Sequence, residues 1–339
     1  MTKKTRVFFL RSHLCIAIFL TAHLSLAQDT ASLISRLHSA EQATSLNVDE
    51  VAPFYLKIDV QLYDAKDKPS DKATAEEWWA GHGIEKRVYT TSSATLTEVR
   101  TPDELLRNPG AVYPPELLEV LLEQVVHPLP LNWVLRGAAP ELRMVNFGKV
   151  PLECILVEHR DQVEDLPPSY CFDPGKESLR LTSQYGTRLI IRNGVGSFQD
   201  KLVPMDVVVH SGDVLAASGH ISALMKRPVS EAELSTDGLT EKFAMVPEGV
   251  WKGAVHRVQP IYPEMAKRSH ITGIVALRAV VGTDGHIHDL TIVSSPDQNL
   301  GFAAMDAVRK WIYTPYLVNG EPRQVETRIN VTFTFGRQE

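Results

Sequence analysis

No basic stripe runs along this sequence, and that absence excludes a large class of function at the outset. The formal charge of −6 is unevenly spread. Residues 1–27 carry four Lys/Arg and no acid, and residues 251–339 carry ten basic and eight acidic side chains, so residues 28–250 carry −12. An acidic middle without clustered Lys and Arg repels a phosphate backbone, so no nucleic acid is expected as a partner. Catalytic patterns are missing as well. Gly81-His82-Gly83 reads as a solvated loop, and Ser211-Gly212-Asp213 and Ser294-Ser295 lack the strand-to-helix elbow of a nucleophile. Gly194-Val195-Gly196 is not followed by the glycine and helix of a phosphate loop. His286 and His288 lie two apart and would share one strand face, but two ligands do not make a metal site. No enzyme, metal or cofactor is expected.

A long hydrophobic run is also lacking. Leu14–Leu24 spans 11 residues, and the wider stretch Val7–Leu26 contains Arg11, Ser12, His13 and His23, whereas a membrane-spanning helix wants roughly 20 apolar residues. What stands there instead is a basic region (Lys3, Lys4, Arg6, Arg11), an apolar core and the small residues of Ser25-Leu26-Ala27. That pattern predicts a signal peptide over 1–27, cleaved before Gln28, and a periplasmic or other envelope location. If the segment stays uncleaved, it is an inner-membrane anchor. Cys15 has no small residue before it and is not read as a lipidation site. Cysteine is otherwise scarce: only Cys154 and Cys171 remain. An even count in an exported chain favours a disulfide between them, worth roughly 3 kcal/mol for so short a loop. The alternative is two buried free thiols on neighbouring strands.

What is present is ordinary globular composition, with 44% hydrophobic and 22% charged residues, in a chain long enough for two domains. Leu33, Ile34, Leu37 and Ala40 are spaced for a helix over 31–43. Phe54, Leu56, Ile58, Val60 and Leu62 alternate with polar residues as a half-buried strand does. Further strands are expected at 77–79, 87–89, 152–159, 169–172, 179–181, 189–192, 202–209 and 214–224, with a helix opening at Pro114-Pro115 and ending near Pro128. Many short strands separated by turn residues indicate an antiparallel sheet carrying one or two helices. In the order of its elements, residues 30–225 resemble the curved-sheet fold of the periplasmic lipoprotein-carrier family. The features are the N-terminal helix, the strand around Leu56-Lys57-Ile58-Asp59-Val60, and the Tyr170-Cys171-Phe172-Asp173-Pro174-Gly175 turn before Leu179-Arg180-Leu181. The resemblance implies an apolar cup for a lipid chain. The alternative is a sheet whose concave face is filled by its own helices.

The last 85 or so residues have a different grammar. In Gln259-Pro260-Ile261-Tyr262-Pro263 two prolines forbid a regular helix or central strand, so an extended arm is expected, leading into a short helix. Strand 273–281, an Asp284-Gly285 turn and a return strand 287–293 read as a hairpin. A helix over 300–311 follows, with Phe302, Ala304, Met305, Ala307, Val308 and Trp311 as its apolar stripe. After Asn319-Gly320-Glu321-Pro322 the final strand carries Val325, Thr327, Ile329, Val331, Phe333 and Phe335 on one face and polar residues on the other.

Six separated signatures in residues 256–336 resemble the TonB C-terminal domain family. They are Gln259-Pro260-x-Tyr262-Pro263-x-x-Ala266, Gly273-x-Val275, Asp284-Gly285, Ala307-Val308-x-x-Trp311-x-Tyr313-x-Pro315, Asn319-Gly320-x-Pro322 and Val331-x-Phe333-x-Phe335. The resemblance implies a protein-binding module that adds an extended segment of an outer-membrane transporter, or of another envelope protein, to a sheet edge. The residues it points to are Gln259, Pro260 and Tyr262 on the arm and Val325, Thr327, Ile329, Val331 and Phe333 on the last strand. A second copy of the chain could pair through that same strand. The expected fold class is α+β: a curved antiparallel sheet domain over 28–245, then a small ββαβ module over 246–339. The chain departs from the energy transducers of that family. Ser12 and His13 are adjacent rather than four apart, and no Pro-rich spacer appears in 28–250.

Overall fold

The structure is a computed structural model. It describes residues 30–110, 116–135, 137–159, 167–184, 188–246, 251 and 253–334. The expected signal peptide, Pro114-Pro115 and Phe335 lie outside the described residues.

The chain begins with helix α1 (Thr30–Thr44) and a meander of β1 (Phe54–Tyr63), β2 (Pro69–Gly81), β3 (Ile84–Thr90), β4 (Thr95–Arg100) and β5 (Glu104–Arg107). Helices α2 (Glu116–Val126) and α3 (Leu131–Val134) carry it to a second meander. That meander runs through β6 (Ala138–Phe147), β7 (Val150–His159), β8 (Ser169–Phe172), β9 (Leu179–Gln184) and β10 (Arg188–Asn193). A small hairpin of β11 (Gly196–Phe198) and β12 (Lys201–Val203) precedes β13 (Asp206–Ser211), β14 (Val214–Lys226) and β15 (Glu241–Ala244). Thirteen of these strands form one antiparallel sheet in the order β15-β5-β4-β3-β2-β1-β14-β13-β10-β9-β8-β7-β6. The two meanders therefore run in opposite directions and meet at β1–β14, where Leu56 faces Leu224.

Alternation decides which face is buried. Phe54, Leu56, Ile58, Val60 and Leu62 all point to one side, where α2 lays down Leu118, Leu121, Leu122, Val125 and Val126. The helix comes so close that a side chain on Gly219 of β14 would meet Ile58 at 2.9 Å and Leu121 at 3.3 Å. A second cluster joins Leu33 and Leu37 of α1 to Leu131 and Val134 of α3 and to Ile155, Val157, Tyr170 and Phe172 of the second meander. Cys154 and Cys171, register partners across β7 and β8, are joined by a disulfide.

The strand expected at 202–209 is two strands, because Pro204 has no N–H to continue a ladder. Strands β4, β5 and β6 carry no expectation from the sequence. In β4 and β5 the inward positions include Glu98 and Arg107, which hide the apolar alternation.

The C-terminal part comprises β16 (Ala254–His256), α4 (Glu264–Arg268), β17 (Gly273–Val281), β18 (Ile287–Ser294), α5 (Gln298–Val308), β19 (Ile312–Tyr313), β20 (Tyr316–Val318), β21 (Glu321–Arg323) and β22 (Val325–Phe333). Its main sheet has the order β18-β17-β22, with two-stranded ladders β16–β19 and β20–β21 beside it. Helix α5 starts at Asp297, whose carboxylate accepts the backbone N–H groups of Asn299 and Leu300. It buries Leu300, Gly301, Ala304, Ala307 and Val308. The expected stripe is thereby corrected. The buried face follows the spacing of Leu300, Ala304, Ala307 and Val308, while Phe302 is 53% exposed and Trp311 lies beyond the helix.

Candidate partner-binding edge

The last strand carries its core on one face. Val325, Ile329, Val331 and Phe333 are buried, Thr327 is half-buried, and Arg328, Asn330 and Thr332 are exposed. One edge of β22 pairs with β17 from Val281↔Val325 to Gly273↔Phe333. Among the described residues no strand pairs with its other edge. The preceding residue, Gln324, does have a neighbour there, since its carbonyl accepts the Ala244 N–H of β15 at 2.8 Å. The open run of backbone donors and acceptors therefore begins past Gln324.

The arm lies across one end of this sheet, held by two side chains that sequence reasoning separates. Tyr262 donates its hydroxyl to the Ile271 carbonyl at 2.5 Å and meets the Phe333 ring edge-on at 5.4 Å. Trp311 donates Nε1–H to the Val258 carbonyl at 2.9 Å, and the Arg257 guanidinium stands 5.2 Å over its ring. Upstream, Trp251 stacks on Tyr313 and donates to the Thr314 carbonyl at 2.7 Å. Of the three arm residues picked out from sequence, Tyr262 is an anchor, Pro260 is half-buried and Gln259 is exposed. Their neighbours Ile261 and Met265 stand 85% and 67% exposed. Ile261 reads as an unremarkable apolar residue until the arm is seen to turn Tyr262 inward.

The hairpin turn is locked to the same region. Gly285 has φ +79°, and a side chain there would meet the Tyr313 carbonyl oxygen at 2.2 Å, while its own carbonyl accepts the Tyr313 N–H. Asp284 accepts from the His286 backbone N–H and from His288, which holds its carboxyl below the usual range. Among the described residues no three His, Cys, Asp or Glu are grouped to hold a metal ion. His82 is an exposed loop residue 3.4 Å from Asp49.

The face of the module sheet turned away from α5 rests on the large sheet, and its contacts are mostly ionic. Arg107 of β5, buried, binds Glu98 of β4 and reaches Glu326 of β22 at 2.8 Å. Glu119 of α2 binds Arg278 of β17 and lies 3.6 Å from Arg328. Leu105, Phe243 and Val280 form a small apolar patch beside them. The ionic lattice continues inward through Arg87, which reaches Glu123 at 2.5 Å and lies 2.9 Å from Glu77 and 3.2 Å from Glu85. Glu77 is fully buried among these charges. Burial, opposed by Arg87 and reinforced by Glu85, pushes its carboxyl up to about 8.

A helix on a three-stranded antiparallel sheet, led in by a pinned proline arm and ending on an unpaired strand edge, defines a small α+β module carried by a larger antiparallel domain. Residues 258–335 match the family of Gram-negative bacterial TonB protein C-terminal domains. Over 75 residues the chain is 36% identical to protein TonB of Xanthomonas campestris pv. campestris, covering 22% of this chain and 34% of that protein. Over 107 residues it is 27% identical to protein TonB of Vibrio cholerae, covering 31% of this chain and 42% of that protein. The match thus spans less than half of either relative. Solved structures similar to the chain include a LolA superfamily protein from Nitrosomonas europaea (11% identity, TM-score 0.41) and a DUF1329 family protein from Desulfovibrio piger (7%, 0.42). Each alignment covers 62% of this chain and 99% of the other.

Proposed function

We propose that this is an exported cell-envelope protein, with a β-rich domain over 28–245 and a TonB-type module over 246–339. The module binds an extended segment of an outer-membrane transporter, or of another envelope protein, by strand addition to β22, as part of TonB-dependent transport. The observation that supports this most directly is the unpaired edge of β22 in a module of that family. Main-chain hydrogen bonds along the edge supply affinity, and the exposed Arg328, Asn330 and Thr332 supply selectivity. Val325, Ile329, Val331 and Phe333 act indirectly: their side chains fill the core and hold the edge straight.

A photoreactive residue at Asn330, with one at exposed Ser93 of the large domain as control, tests this in cells. Cross-linking of the Asn330 variant to an outer-membrane transporter or other envelope protein is the expected result. Cross-links only between copies of the chain would make the edge a dimer contact, and equal cross-linking from both positions would remove the reading.

The second reading, a periplasmic carrier of a lipid or other apolar ligand, has a groove of ≈ 510 Å³ in its favour. Its lining sets Asp59, Lys72, Asp206 and His220 beside Val60, Ala73 and Val208, a mixed surface. The apolar face of the sheet is occupied by α2. Native mass spectrometry of the purified full chain distinguishes the two readings, since a carrier retains a bound small molecule.

A further inference from the structure

Between the large sheet and the module lies a cavity of ≈ 180 Å³, walled by charged side chains from β3, β4, α2, β17 and β22. Most of these charges are matched within the lattice already described. Among the described residues Arg100 and Arg328 keep spare donors near solvent, while the Arg87 Nε, without a hydrogen-bond partner, is buried deeper. Arg100, at the end of β4, has one carboxylate contact, Glu85 at 3.1 Å, and its buried Nε has no hydrogen-bond partner. Arg328, in the middle of β22, has a side chain 64% exposed and comes no nearer than 3.6 Å to Glu119. It also stands directly across from Arg278 in the β17–β22 register, a like-charge pair that is unfavourable unless an anion bridges it. Glu119 serves both arginines and is held mainly by Arg278.

The wall balances four arginines against four glutamates, so what differs from place to place is which of them are already paired. Burial alone would raise the Glu123 carboxyl, yet Arg87, Arg100 and Arg328 together outweigh burial and hold it below its usual range. Glu119, deeper and facing Glu98 as well, is raised, by burial first. Arg100 and Arg328, with side chains 35% and 64% exposed, are the arginines of this wall that reach solvent, whereas Arg87 and Arg278 are buried.

We infer that Arg100 and Arg328 form a carboxylate-binding site at the mouth of this cavity, which receives an acidic side chain of the extended segment paired with β22. The inference rests on the reading of β22 as the partner edge and deepens it. A strand added to that edge places alternate side chains on the Arg328 face. The one opposite Arg328 lies at a cross-strand distance of about 5 Å. From there a carboxylate reaches one guanidinium on the module and one on the large domain, and such charge-assisted bonds are about twice as strong as neutral ones. The large domain then helps choose the partner as well as carrying the module, and the segment it favours has one acidic residue at a fixed register.

The test uses the full chain and a set of ten-residue peptides of alternating valine and threonine with a soluble tail. A single glutamate replaces each threonine in turn, with glutamine at the same positions as the isosteric control. Binding is read by fluorescence anisotropy at low and at high salt. One glutamate position should bind about tenfold more tightly than its glutamine counterpart. Arg100→Gln should abolish that preference, so that glutamate and glutamine peptides bind alike, and Arg100→Lys should restore part of it. Arg328→Gln is the second variant, expected to remove the preference in the same way, and thermal melting confirms that each variant is folded. A glutamate preference that survives Arg100→Gln, or no preference at any position, overturns the inference and leaves edge pairing intact. Peptides that do not bind at all remove both.

Discussion

Glu77 is a carboxyl with no access to water, set among Arg87, Glu85 and Glu123. In the unfolded chain it loses its proton near 4.5, and in the folded chain it keeps it up to about 8. Its folded value is raised, so the stability it contributes is fully present below about 4.5 and is lost as pH rises through about 8. Chemical denaturation across that window should show the wild type losing up to roughly 1.4 kcal/mol per pH unit more than Glu77→Gln, which has no proton to lose. A second prediction concerns Gly285. With φ +79° and the Tyr313 carbonyl 2.2 Å from where a side chain would begin, Gly285→Ala should cost more than about 1 kcal/mol, seen as a lower Tm. The two residues differ in legibility. Asp284-Gly285 announces its turn through neighbours in sequence. Nothing near Glu77 announces burial, because the residues that make it tolerable come from β3 and α2.

At the scale of elements, β1 and β22 were legible because apolar residues recur at every second position, Thr327 excepted, and one face meets a core. Helix α2 was legible for the corresponding reason at helical spacing. Strands β4 and β5 were not. Their inward positions hold Leu96, Glu98, Leu105 and Arg107, and a pattern of apolar-in and polar-out fails where the inside is ionic. Helix α5 was legible in place, and Ala304, Ala307 and Val308 of its expected stripe are buried, but Phe302 is exposed and Leu300 fills a place the stripe left out. The edge of β22 could be foreseen as unpaired, but the charged wall beside it could not. That wall depends on Arg100, Glu119 and Arg278, which are far apart in the chain. Two predictions belong here. Phe333→Ala, which removes a buried ring from the core and from Tyr262, should cost about 3–5 kcal/mol in urea denaturation and loosen the arm. Reducing the Cys154–Cys171 bond, or replacing both residues by serine, should cost roughly 3 kcal/mol, measured by the same denaturation.

For the whole molecule, the question is how firmly the module is held. The interface buries few apolar side chains beyond Leu105, Phe243 and Val280, and depends instead on Arg107–Glu326 and Glu119–Arg278. Breaking one member of a buried ion pair leaves the other uncompensated, at about 3–5 kcal/mol. Glu119→Arg alone should therefore separate thermal unfolding into two transitions by calorimetry, and the swap Glu119→Arg with Arg278→Glu should restore a single one. Two transitions in the swapped chain as well would mean that the ionic contacts do not hold the two parts together.

The meeting of the two meanders at β1 and β14 also sets a timetable. Leu56 cannot find Leu224 until the whole of the second meander exists, and β5 gains its β15 neighbour later still. Pairings this distant in the chain make for slow folding, because a long loop must close before any of them is rewarded. Until then β1 and β5 each present a bare flank, and a newly made chain would be open to mispairing with its neighbours. Refolding should accordingly be slow and concentration-sensitive in yield, measured by the recovery of native protein after dilution from urea at rising protein concentration.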